Sequence, residues 1–312
     1  MSDERLRVSY FGWALAKSLR VIGKVWVRCI IEPLLPPTPS ARLWKSRFLH
    51  LNEAVGQIFP LLTYVISCRT FEGTRFVFRP FTDDVDKVSA DYERIVRELM
   101  SPKPSEVVVD AGANIGTHTV WLSKKVGPSG LVLAIEPEPN NFAILELNRR
   151  SNNLSNIISL RIALSSQPGI GKLAVPRPTL MGQAKALEHS NASDSPVVRV
   201  EFETLDNVII SQKIRVSAIK IDVEGAEVSV LQGAMNTVTK FSPRLIVETH
   251  GKGNLLQLRT ALKALGFISV TEVRASSRPD EERHFVLAVS SKEHAVRSKG
   301  TGQGQLAATN AR

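Results

Sequence analysis

Two stretches of this sequence end in clusters of ionisable side chains. "IKIDVEGAE", residues 219–227, carries Lys220, Asp222 and Glu224 at alternate positions, and "VETH", residues 247–250, ends with Glu248 and His250. Alternate side chains of an extended strand share one side, so Lys220, Asp222 and Glu224 are expected to project together. Charges at the end of an apolar strand are costly unless paired, which places them better at a pocket edge than in a core. Two readings stay open. Lys220 and Asp222 pair structurally, or Asp222 or Glu224 positions or deprotonates a substrate. His250 suits a general base, since an unperturbed imidazole titrates near ~6.5. Asp222, Glu248 and His250 could together ligate a divalent cation, but no dedicated metal spacing marks such a site. His118 reads better as a helix-face residue than as a catalyst.

A second stretch, "VVVDAGANIGTHT" at 107–119, delivers a glycine-bracketed turn from a run of valines. In open α/β sheets ligands bind at the carboxyl ends of strands, and a glycine turn lets backbone approach them closely. A dinucleotide fingerprint G-x-G-x-x-G read from Gly112 needs glycine at 114 and 117, where the chain has Asn114 and Thr117. That fit is poor. D-x-G-x-x-x-G, with Asp110, Gly112 and Gly116 around Asn114, suits a ligand without a pyrophosphate, such as S-adenosylmethionine (SAM). The next strand ends at Glu136, where a carboxylate can take both hydroxyls of a ribose. Either ligand would use it.

The elements that position these residues follow from periodicity. Strands are predicted at 107–110, 131–136, 157–163, 216–222, 244–249, 267–274 and 284–290. Helices are predicted near 114–126, 139–152, 225–240 and 254–265. Strands alternating with helices imply a parallel, doubly wound sheet. Only a polar loop joins the last two strands, which makes them antiparallel neighbours. Upstream, "TFEGTRFVFRP" alternates about Gly73 like a hairpin and 85–100 has helical spacing. The segment 164–200 reads as an irregular connection, with Met181, His189 and Arg199 as weak candidates for an acceptor pocket.

These motifs resemble the FkbM family of SAM-dependent methyltransferases. "DAGANIG" at 110–116, "EPEPNN" at 136–141, "IKIDVEGAE" at 219–227 and "LQGA" with "VETH" at 231–234 and 247–250 occur in the family's order. The resemblance covers roughly residues 70–290. It implies a class I methyltransferase (Rossmann-like) fold: α/β, with a seven-stranded, mostly parallel sheet containing one antiparallel strand. It further implies SAM over Gly112, Asn114 and Gly116 with its ribose on Glu136, while Asp110 reads from its place as fixing the turn or a ligand-bound water. An Asn/Asp-Pro-Pro-aromatic turn, which would grip an exocyclic base nitrogen, is absent after the strand ending at Asp222. Methylation of a hydroxyl therefore leads, with a glycan, lipid-linked sugar or secondary metabolite as acceptor. An RNA methyltransferase and a non-catalytic SAM-binding protein are the alternatives, and no RNA-binding module or stacking motif supports the former.

Bulk composition sets the limits. The chain has 312 residues, 43% hydrophobic and 22% charged, ordinary for a globular protein. Its net charge of +10 favours anionic partners. Cys29 and Cys68 are its only cysteines, which excludes a disulfide framework and makes a reducing, cytoplasmic setting the expectation. Within residues 8–32, Lys17, Arg20, Lys24 and Arg28 form one basic stripe on a helix. Charges inside the segment argue against a transmembrane span, so peripheral contact with the inner face of an anionic membrane is expected. The domain plan is therefore a basic amphipathic helical extension with linker at 1–65, a methyltransferase domain at 66–291 and a tail expected to be disordered at 292–312.

Overall fold

Valine and isoleucine runs form strands where the period predicts them. The computed structural model describes residues 67–71, 73–79, 82–88, 92, 94–175, 185–187, 197–250, 252–274 and 283–290. The basic stripe within 8–32, the linker, Met181, His189 and the tail at 292–312 lie outside the described residues. Among those described, no helix is long and apolar enough to cross a membrane. The chain divides into two compact units, Met1–Tyr92 with Pro176–Gln183, and Glu93–Val175 with Ala184–Arg312.

In the first unit β1 (Ser67–Phe71) and β2 (Thr74–Phe78) make the expected antiparallel hairpin about Gly73, whose φ of 70° suits a residue without Cβ. Arg79 follows and forms a two-pronged pair with buried Asp84 at 2.6 and 2.9 Å, at the start of a short helix α1 (Asp84–Lys87).

The second unit runs α2 (Arg94–Met100), β3 (Val107–Ala111), α3 (Thr117–Val126), β4 (Leu131–Ile135), α4 (Pro139–Ser151) and β5 (Ile157–Leu160). It continues through β6 (Ala163–Leu164), β7 (Gly169–Ala174), β8 (Lys185–Leu187), β9 (Val197–Glu203) and α5 (Leu205–Gln212). Last come β10 (Ala218–Ile221), α6 (Glu227–Gln232), α7 (Met235–Phe241), β11 (Arg244–His250), α8 (Lys252–Ala264), β12 (Phe267–Arg274) and β13 (Arg283–Ser290). The main sheet has seven strands in the order β12-β13-β11-β10-β3-β4-β5. β13 runs antiparallel to both neighbours, and the pairs among β11, β10, β3, β4 and β5 are parallel. This is the class I methyltransferase fold the resemblance implied.

Strand alternation sends side chains to two cores. Val109, Ala111, Ile219, Ile221, Leu245 and Val247 face a cluster with α5, α6, α7 and α8, whereas Val108, Ala218 and Ile246 face one with α2, α3 and α4. Each fully buried aliphatic side chain contributes ~1.5–3 kcal/mol of transfer free energy. The same alternation assigns Asp110 and Lys220 to the α2–α4 face. That assignment brings the site together.

Four expectations need correction. Residues 157–163 do not form one strand: β5 stops at Leu160, and Ala163–Leu164 pair with β9 in a separate four-stranded sheet, β6-β9-β7-β8. The irregular stretch 164–200 therefore supplies most of a second sheet, and α5 after it is capped by Thr204, whose hydroxyl accepts from Asn207 N. The helix expected at 225–240 is broken at Gly233, where a Cβ would overlap the carbonyl oxygen of Ser165. Close packing against that backbone, not helical period, decides the break. The spacing over 85–100 yields two short helices, α1 and α2, rather than one.

Candidate active site

β3, β4 and β10 end side by side, and each brings one of the singled-out acidic residues. Asp110 is wholly buried near the end of β3. Its Oδ2 accepts from Thr119 Oγ1 at 2.6 Å, which ties the strand to the first turn of α3. Its Oδ1 lies 3.4 Å from Lys220 Nζ, an ion pair rather than a hydrogen bond. Lys220 is only 2% exposed. Its ammonium also reaches Asp222 Oδ2 at 3.2 Å and Gly112 O at 3.5 Å. One buried cation thus joins both carboxylates and the glycine turn. The structural pairing of Lys220 with Asp222 is real, and Asp222 remains partly open, its side chain 18% exposed.

The turn itself is held by its own chain. Gly112 and Ala113 donate to Ile135 O, both at 3.0 Å, and Gly116 N donates to Ala113 O. Asn114 N donates to Glu136 Oε2 at 2.8 Å, and Ile115 N to Asn114 Oδ1. Gly112, Asn114 and Gly116 all have positive φ (76°, 51° and 84°), which explains two glycines and an asparagine here. At Gly112 the close approach is to protein: a Cβ would overlap the carbonyl oxygen of Asp222. Asn114 and Thr117 stay half-buried above the buried Glu136, at the start of α3, which carries no side-chain cap.

Glu136 is 5% exposed, and burial pushes its carboxyl up from 4.5 to about 7 against the pull of its hydrogen bonds. Its Oε1 accepts from Glu138 N at 3.0 Å and, weakly, from Asn141 Nδ2 at 3.4 Å. Glu138 in turn caps α4 by accepting from Asn141 N at 2.6 Å. Thr119, Glu138 and Asn141 were not anticipated. For the last two the signal lay in "EPEPNN", where an acidic N-cap precedes proline at the first helical position.

The remaining candidates separate. Strand pairing ends at Ile221; Asp222 still continues the ladder, its N donating to Ala111 O at 3.0 Å, whereas Glu224 lies off it. It lies in a turn at φ 54°, before Gly225, whose N donates to Glu227 Oε1 at 2.8 Å. Glu248 is 2% exposed on β11 and, alternating with Ile246, falls on the Lys220 face. His250 closes β11 opposite Arg283 in register, and its side chain lies outside the described residues. His118 is buried in α3. His284 reaches the same end of the sheet opposite Thr249, on the other face, with Nδ1 2.7 Å from Glu272 Oε1.

Comparison with known proteins identifies the family. The family model described as "Methyltransferase FkbM domain" matches residues 110–269. Methyltransferase 1 of Beauveria bassiana is 26% identical over 210 residues, spanning 61% of this chain and 83% of the relative. The hexuronic acid methyltransferase AglP of Haloferax volcanii is 29% identical over 158 residues, spanning 50% of this chain and 61% of that protein. Among solved structures, a methyltransferase FkbM from Methylobacillus flagellatus superposes with a TM-score of 0.45 at 20% identity, covering 65% of this chain and 47% of the other. The family match takes in just over half of the chain, from Asp110 at the turn past the ends of β10 and β11, and the protein belongs to the FkbM methyltransferase family.

Proposed function

We propose that the protein transfers a methyl group from SAM to a hydroxyl of a glycan, lipid-linked sugar or secondary metabolite. The observation that carries the cofactor reading is the buried Glu136 carboxylate beside the left-handed Asn114 turn. A carboxylate has about four lone-pair positions, and three protein donors leave room for a ribose hydroxyl. The donor set fits a cationic nucleoside better than a dinucleotide. Lys220, the cation beside the turn, is already shared between two carboxylates, which is the wrong balance for a pyrophosphate.

When bound, SAM supplies an electrophilic methyl on a positively charged sulfur. Asp110 and Thr119 hold the turn, Glu136 takes the sugar, and Asp222, partly open at the end of β10, faces the acceptor side. A hydroxyl is a poor nucleophile until its proton leaves, and Asp222 or His250 takes that proton, with Glu224 orienting the acceptor. The Haloferax volcanii relative, a hexuronic acid methyltransferase by name, supports a sugar acceptor.

Calorimetric titration with S-adenosylhomocysteine and with NAD tests the cofactor: binding of the first and none of the second is expected. A tritiated-methyl assay against glycan, lipid, RNA and protein fractions tests the acceptor. Label is expected in the glycan or lipid fraction, and label in RNA alone overturns this choice.

A further inference from the structure

We propose that the Asp110–Lys220–Asp222 cluster makes the nucleoside site charge-selective, favouring the sulfonium cofactor over its neutral thioether product. This inference rests on the SAM reading above and adds a property of that site.

The cluster holds more carboxylates than cations. Lys220 Nζ is the shared partner of Asp110 Oδ1 at 3.4 Å and Asp222 Oδ2 at 3.2 Å, so one ammonium faces two carboxylates. The side chains of Lys220 and Asp110 are 3% and 0% exposed, which leaves little water to screen the imbalance. Asp222, 18% exposed, is where the excess charge meets the site. A protein this basic overall, with net charge +10, therefore presents a locally negative patch at the strand end beside the turn.

Such a patch acts on the one feature that changes in the reaction. SAM and S-adenosylhomocysteine share the adenosine, the ammonium and the carboxylate, and differ by one methyl group and one positive charge. Contacts to the shared parts cancel in the ratio of the two affinities. A fixed negative excess at the end of β10 does not cancel for a nucleoside whose sulfonium would lie against it. It favours entry of the charged form and release of the spent one, which reduces product inhibition. Lys220 serves as a positioning residue: it holds both carboxylates in place while cancelling only one of their two charges.

The test is calorimetric, on the full chain at neutral pH, with three probes: SAM, S-adenosylhomocysteine and sinefungin, which carries an ammonium where the sulfonium methyl stands. The wild-type protein is expected to bind SAM and sinefungin about tenfold or more tightly than S-adenosylhomocysteine. Asp222→Asn removes one charge at constant shape and is expected to shrink that preference about tenfold, with affinity for the neutral product changed less than about twofold. Asp110→Asn repeats the measurement should Asp222→Asn melt early. Equal weakening of all three ligands, or a wild type without preference between sinefungin and S-adenosylhomocysteine, overturns the proposal. Absence of binding by any probe overturns the cofactor reading instead.

Discussion

Glu136 and the Asp110–Asp222 pair are carboxylates at the ends of neighbouring strands, compensated in opposite ways. Glu136 sits among dipoles: backbone amides of Asn114 and Glu138 donate at 2.8 and 3.0 Å, and burial raises its carboxyl to about 7. Asp110 and Asp222 share a full positive charge on Lys220. Dipoles orient a carboxylate without neutralising it, so the charge at the end of β4 depends on pH near neutrality. A buried ammonium instead builds the charge into the fold, and removing it leaves both carboxylates without their cation partner among the described residues. On the proposed reading the two arrangements suit two tasks: gripping neutral hydroxyls at Glu136, and biasing a charged ligand at Asp222.

Removing the shared cation should break the comparison most severely. Lys220→Met keeps the shape of the side chain but leaves Asp110 wholly buried beside an uncompensated Asp222. Breaking a buried pair from one side costs ~3–5 kcal/mol, read by denaturant unfolding against wild type. Lys220→Arg, which restores the charge, should recover part of that loss. An equally stable Lys220→Met protein would mean the cluster is solvated and not a buried ion group.

The pH dependence of Glu136 comes next. Its folded carboxyl titrates at about 7, above the ordinary 4.5, so the folded state binds the proton more tightly than the unfolded chain. Stability from this group is therefore complete below about pH 4.5 and is lost as pH rises through about 7. At ~1.4 kcal/mol per pH unit the change amounts to about 3 kcal/mol. Referenced to Glu136→Gln, which does not titrate, wild-type stability should fall by that amount across the window. A constant gap between the two proteins would show that Glu136 is not buried as a single carboxyl. Binding of a ribose should run the other way, since hydroxyl donors favour the ionised form: affinity for S-adenosylhomocysteine should weaken below about pH 7.

Thr119→Val separates the anchoring of Asp110 from its charge. The variant deletes the 2.6 Å bond to Oδ2 while leaving Lys220 in place. Hydrogen bonds to charged groups contribute ~1.5–3 kcal/mol, so a loss of about 2 kcal/mol is expected in unfolding, with the preference for SAM over S-adenosylhomocysteine retained. A lost preference would place the selectivity in the turn's geometry rather than in its charge.

Much of this site was visible in the chain because strand periodicity and glycine placement are local. Asp110, Lys220 and Asp222 meet because alternation sends them to one face of adjacent strands, and seven short β-branched runs are enough to infer that. Gly112 was legible as a special position but not its cause: the close neighbour is the carbonyl of Asp222, more than a hundred residues away in sequence. Glu224 looked like a third member of the row because "KIDVE" alternates, whereas its positive φ appears only once the turn into α6 is built. The sheet formed by β6–β9 was missed for a similar reason. Gly169 and Gly171 weaken the strand signal, and Gly171 is needed because a Cβ there would press into the Phe202 ring. Local pattern locates charged residues, and nonlocal packing decides which of them touch.

The smallest expected effect tests whether Glu136 is held by backbone or by side chains. Asn141 Nδ2 approaches Oε1 at 3.4 Å, long for a hydrogen bond, whereas the two amides sit at 2.8 and 3.0 Å. Asn141→Ala therefore removes a weak donor and leaves the strong ones, which no side-chain substitution can delete. The midpoint of the pH-dependent stability change should move upward, because one donor that favours the ionised form is gone, but by less than about one pH unit. Overall stability will also fall, since Asn141 is buried at the start of α4, so the midpoint and not the free energy is the readout. A shift of two units or more would make Glu136 a side-chain-tuned acid. Its contrast with the Lys220 cluster would then lie in which side chain compensates it, and not in dipole against charge.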